Sequence, residues 1–203
     1  YRRQQLIPEL QASSASIAFL TFSVLSLKYM VYRLGAGNTQ QVVAALSWEQ
    51  LQQWLNQNTF DHVFYNDAVS FPHALELVES LTEYKKQQPQ CRLTIAVHDY
   101  FAICPSQHLL NASGQYCGIP DLQTCRTCLA HSGQAMVPLY NHHGIEGWRA
   151  QWSAFLAAAD EVRIFDASAQ TALKKAYPAL SPALQLRPHK VPPLGPAEET
   201  SLR

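Results

Sequence analysis

The segment 72-PHALELVESLTEYKKQQPQCRLTIAVH-98 decides the fold class. Pro72 opens a helix, and Ala74, Leu75, Val78, Leu81 and Tyr84 recur at the three- and four-residue spacing of one buried helical face. Pro89 stops the helix. Cys91 to His98 then reads as a short apolar run with β-branched residues, the pattern of a strand buried on both faces. A helix followed at once by a buried strand is half of a βαβ unit, and the same alternation continues on either side.

Upstream, Ser47 opens a helix with Gln50 at capping-box spacing, and Trp48, Leu51, Trp54 and Leu55 share a face. His62 to Asn66 forms a short strand. Downstream, Trp148, Trp152, Phe155, Leu156 and Ala159 form another helical stripe, and Val162 to Phe165 a strand. Ser168 is the expected cap of a helix through Leu173 to Tyr177, and Leu184 to Leu186 is the last strand. Strands alternating with helices of this length predict an α/β domain, Rossmann-like, with a mostly parallel sheet flanked by helices on both faces. Ile17 to Leu27 and Lys28 to Leu34 read as further strands, the first of them buried, and Gly35-Ala36-Gly37-Asn38 as a turn. Residues 1–16 read as a lead-in segment, 17–190 as the domain, and 191–203 as a linker.

The 203 residues are 47% hydrophobic and 15% charged, enough apolar surface to build a core. Fifteen Lys and Arg balance fifteen Asp and Glu. Proteins that neutralise phosphates are usually clearly basic, so nucleic acid is not an expected partner. The apolar run from Ile17 is too short to span a bilayer. Gly35 and Gly37 lack the third glycine of a dinucleotide fingerprint, since Gln40 stands there.

Residues 99–141 break the alternation as a Cys-rich irregular insert. Cys104, Cys117, Cys125 and Cys128 lie in it, spaced C-x12-C-x7-C-x2-C, and only Cys91 lies outside, in an apolar strand. A C-x-x-C turn brings two thiolates to one metal, and two more complete a tetrahedron suited to structural zinc, which would also order the insert. Two disulfides, a redox pair at Cys125 and Cys128, and four buried thiols are the other readings of the same residues. His142-His143 reads as the start of a helix, since adjacent residues do not face one ligand.

In an open parallel sheet, ligands gather beyond the carboxyl ends of the strands. Three expected strand ends carry polar residues there: Asn66-Asp67, His98-Asp99 and Asp166. An imidazole at such an edge can orient or deprotonate a hydroxyl, and a carboxylate can bind one. Each residue also suits a plain strand-ending turn.

The stretch His98-Asp99-Tyr100-Phe101-Ala102-Ile103-Cys104-Pro105, with Leu109-Leu110-Asn111, Gly114-Gln115-Tyr116-Cys117-Gly118 and Cys125-x-x-Cys128, resembles a segment of bacterial GT-B-fold glycosyltransferases of the family-4-like, retaining type. Trp148-Arg149, Phe155 to Val162, Ser168, Tyr177-Pro178 and Pro188-His189 follow in the order of the same proteins. Ala167 and Lys190 depart from that pattern, which has proline and glycine there. The resemblance covers residues 60–190. It implies the N-terminal, acceptor-side half of an enzyme that moves a sugar from a nucleotide-sugar to an acceptor hydroxyl in bacterial surface polysaccharide synthesis. The acceptor would be a glycan or lipid-linked glycan, and the location the cytoplasm, at the inner face of the membrane. Donor recognition would belong to a C-terminal domain of the same chain. The resemblance implies that His98 and Asp99 act in catalysis and that Asn66 and Asp67 hold the acceptor, with any zinc structural. The competing reading is a non-catalytic, zinc-stabilised α/β binding module; a third is nucleotide binding at Gly35 to Gly37.

Overall fold

The computed structural model describes residues 16–35, 39–131, 143–180 and 184–188. Its elements are β1 (Ala18–Ser23), β2 (Lys28–Leu34), β3 (Gln40–Leu46), α1 (Trp48–Gln57), β4 (His62–Tyr65), α2 (Ala74–Gln87), β5 (Arg92–Val97), α3 (Leu122–His131), α4 (Gly144–Ala158), β6 (Glu161–Ile164), α5 (Ala167–Ala176) and β7 (Leu184–Leu186). The expected lead-in up to residue 15, residues 132–142 of the insert and the linker over 191–203 lie outside the described residues.

The α/β class expected from the alternation is what the chain adopts. β4, β5, β6 and β7 form a wholly parallel sheet in that order. The first three strands do not join it. They make a separate antiparallel meander, β1-β2-β3, whose short connections fit hairpins and are far too short for the crossovers that parallel pairing requires. The run from Ile17 to Leu27, read as one buried strand, ends at Ser23. Leu27 turns the chain at φ +52°, and Val24, Leu25 and Leu27 stand exposed at the hairpin tip.

Helix starts follow local chemistry. Ser47 and Gln50 close the expected capping box on α1, with Ser47 Oγ accepting from the Gln50 amide and Gln50 Oε1 accepting from the Ser47 amide. At α5 the cap is Asp166 and not Ser168. The Asp166 carboxylate accepts from the Ala169 amide, and the Ser168 hydroxyl donates to the same oxygen. A carboxylate one residue before the helix outcompetes a hydroxyl already inside it.

Period-two alternation divides the parallel sheet. Leu93, Ile95, Val97, Val162 and Ile164 join Leu75, Val78, Trp148, Trp152, Phe155 and Leu173 in one core. The register puts His62, Arg92, Thr94, Glu161 and Arg163 on the opposite face. Phe64 and Ala96 share that face, and Thr94, Ala96 and Glu161 are buried on it. Glu161 is held there by Arg92, Arg163 and Arg187 at 2.6–3.3 Å. No helix among the described residues is long and apolar enough to cross a membrane.

Candidate functional site

Parallel pairing sets Tyr65 opposite Ile95 and Val97 opposite Ile164. The chain therefore leaves β4, β5 and β6 side by side, and the polar residues that follow each strand converge on one edge. His98 Nε2 donates to Asn66 Oδ1 at 2.9 Å. The His98 ring stacks on Phe165, with centroids 4.8 Å apart and planes 4° from parallel. An imidazole clamped by a hydrogen bond in its plane and a ring against its face has a fixed orientation.

Asp67 and Asp99 each begin a turn. Asp67 Oδ1 accepts from the Val69 amide at 3.0 Å, and Asp99 Oδ1 from the Phe101 amide at 2.8 Å. Burial raises the Asp99 carboxyl above the usual range against the pull of the Phe101 amide, and the neighbouring Asp67 charge raises it further. Lost hydration raises Asp67 as well, although that residue stands at the exposed mouth of the site. Asp166, the third strand-end acid, is spent on its helix: Ser168 and the Ala169 amide hold its carboxyl below the usual range.

These strand ends enclose a cavity of about 10 Å³, lined by Tyr65, Asn66, Asp67, His98, Asp99 and Trp152 among others. Thus all four residues expected to form a site from β4 and β5 meet around one space. Trp152, which lines that space, and Phe165, which stacks on His98, were not foreseen at the site. Trp152 is legible as a core residue of the α4 stripe, but its place under the cavity depends on how α4 crosses the sheet. A larger open cavity of about 470 Å³ lies among α1, α2 and α4, away from the strand ends, lined by Glu76, Glu79, Glu83 and Lys86 among others.

The segment after β5 is ordered by its own contacts. Phe101, Ile103, Leu109 and Ile119 are buried in the main core. Tyr177 donates to the Ala102 carbonyl at 2.5 Å, Trp148 to the Phe101 carbonyl at 2.8 Å and the Cys117 amide to the Leu109 carbonyl at 2.8 Å. Gln107, Leu109 and Ile119 adopt left-handed backbone at φ +50° to +57°, a strain that this packing sustains. Residues 122–131, expected to be irregular, form α3 and carry Cys125 and Cys128.

All five cysteines are free thiols, so no disulfide joins them, and Cys91 is buried as expected. Cys104 packs against Cys125, Leu129 and Ile145. Burial raises the thiols of Cys104 and Cys125; Cys117 and Cys128 raise Cys104 further, and Cys104, Cys117 and Cys128 raise Cys125. The Arg149 guanidinium beside Cys125 opposes this without reversing it. A raised thiol is a poor nucleophile, which weighs against the redox-pair reading. Among the described residues, no three His, Cys, Asp or Glu side chains are arranged to hold a metal ion. Gly35 lies in the described chain, but Ala36 and Gly37 of the glycine turn do not, nor does His142; His143 stands as expected at the start of α4.

The chain matches no known protein-family model, no curated protein and no solved structure.

Proposed function

We propose that this chain is the acceptor-side half of a retaining glycosyltransferase, which moves a sugar from a nucleotide-sugar to an acceptor hydroxyl. The observation that carries the reading is the convergence of Asn66, Asp67, His98 and Asp99 around one cavity at the carboxyl edge of a parallel sheet. That is where this architecture places ligands, and these side chains recognise hydroxyl groups. The Asn66 carbonyl oxygen can only accept, so His98 Nε2 is the donor of that pair. His98 orients the acceptor or the transferred sugar, assisted by Asp99, while Asn66 and Asp67 hold the acceptor. Donor binding is assigned to a further domain, whose closure over the strand ends would exclude water and limit hydrolysis. The acceptor is a glycan or lipid-linked glycan met at the inner face of the bacterial membrane. The exposed hairpin tip of Val24, Leu25 and Leu27 supports peripheral contact there.

The test is a transfer assay on the protein that carries this chain together with its donor domain. His98→Ala is expected to slow transfer ~10²-fold, with unchanged circular dichroism. Equal rates would remove His98 from the site. Sugar transfer by the 203-residue chain alone would overturn the division into halves.

Structural zinc on Cys104, Cys117, Cys125 and Cys128 belongs to the same proposal. Its support is that thiols from separate segments come within electrostatic reach of one another. Binding would require them to close in from the arrangement described above. Protein purified without chelator is expected to carry a single zinc ion per chain by elemental analysis, and the Cys125→Ser, Cys128→Ser double variant none. A metal-free protein with every thiol open to titration would end this part of the reading.

A further inference from the structure

Trp152 is 2% exposed, lines the strand-end cavity, and its Nε1–H has no hydrogen-bond partner among the described residues. A buried donor left without a partner is costly, so its position beside a cavity calls for an acceptor in that cavity. The same cavity is walled by Asp67 and Asp99, whose acceptor oxygens call for a donor. We propose that the strand-end cavity is a subsite for one hydroxyl group of a sugar-like ligand, which accepts from Trp152 Nε1 and donates its one proton to the Asp99 carboxyl group, while Asp67 at the mouth takes a neighbouring hydroxyl.

The chemistry selects among ligand groups. A cation satisfies the acids but cannot accept from an N–H. An anion accepts from Trp152 but meets two acids. An apolar group leaves both kinds of polar atom stranded. A group that both donates and accepts fits, and about 10 Å³ has room for a single such group the size of water. Asp67 at the mouth and Asn66 beside it leave room for further hydroxyls toward solvent, so the cavity anchors one point of a larger ligand.

This subsite deepens the acceptor-binding role proposed above, but its test needs no enzymatic turnover. The 203-residue chain is titrated with methyl glycosides of glucose, galactose, mannose and rhamnose, and the indole N–H resonances of its four tryptophans are followed by NMR. Trp152→Phe assigns the Trp152 signal. At least one probe is expected to shift that resonance saturably while the Trp54 signal, on α1, stays put. Trp152→Phe and, separately, Asp99→Asn are each expected to weaken that probe about tenfold or more. Asp67→Asn, at the exposed mouth, provides a variant with little risk to folding and is expected to weaken it as well. A Trp152 resonance unmoved by every probe would overturn the subsite and leave a structural water as the cavity's occupant. Binding unchanged in all three variants would overturn it too. Binding without transfer in the donor-bearing protein would retain the subsite and sink the enzyme reading; transfer independent of Trp152 would do the reverse.

Discussion

Glu161→Ala is expected to destabilise the chain by about 3 kcal/mol, the lower end of the range for breaking a buried ion pair. The Glu161 carboxylate is 1% exposed and takes contacts from Arg92, Arg163 and Arg187. Of these, Arg163 is 16% exposed and would be left with a poorly hydrated charge, whereas Arg92 and Arg187 are more than half exposed and can return to water. That difference sets the lower end of the range. Burial alone would raise the Glu161 carboxyl, but hydrogen bonds from Arg163 and Arg92 and the surrounding positive charge hold it below the usual range. The sign for pH follows. A carboxyl depressed in the folded state contributes stability that is present above the unfolded value of about 4.3 and lost as pH falls through the folded value. Urea unfolding of the native chain should therefore show stability declining below that pH, and Glu161→Gln should flatten this part of the profile. A loss under about 1 kcal/mol on Glu161→Ala would mean that the network behaves like an exposed one.

The parallel half of the fold was legible because each strand there is short, carries apolar residues at alternate positions and is separated from the next by a helix with a clear stripe. Arrangement as a parallel sheet then follows from connection length alone. The candidate site was legible for the same reason: side chains just past β4 and β5 must share an edge once those strands pair in parallel, whatever else the chain does. What could not be read depends on tertiary packing. Val24 and Leu25 look like strand continuation by composition, but the turn before Lys28 exposes them. Leu109 and Ile119 take a backbone conformation that their own side chains disfavour, so no local preference announces it. Ser168 is a good cap by type, and only the competing Asp166 two residues earlier displaces it. The cysteine spacing shows which thiols are near in sequence; the fold of the segment between β5 and α3 decides which sulfurs approach.

Trp148→Ala is expected to cost about 3–5 kcal/mol, as large-to-small changes of buried aromatics do. Trp148 is fully buried in α4, with Phe101 edge-on to its ring at 4.8 Å. Its Nε1 donates to the Phe101 carbonyl at 2.8 Å, and the Phe101 amide is the donor that fixes Asp99. One residue thus links the helix layer to the turn that carries a site carboxyl. Trp148→Phe separates the two roles. It keeps most of the ring volume, removes the hydrogen bond, and leaves the Phe101 carbonyl without that donor, for an expected loss of about 1–3 kcal/mol. The turn would then lose its grip on Asp99, and methyl glycoside binding at the strand ends should weaken along with stability. Leu51→Ala on α1 is the comparison, because Leu51 is also fully buried but does not line the cavity. It should lower the melting temperature at least as much as Trp148→Phe while leaving probe affinity unchanged in protein that is still folded. If both variants weaken binding only in proportion to the fraction unfolded, Trp148 is a packing residue and does not position Asp99.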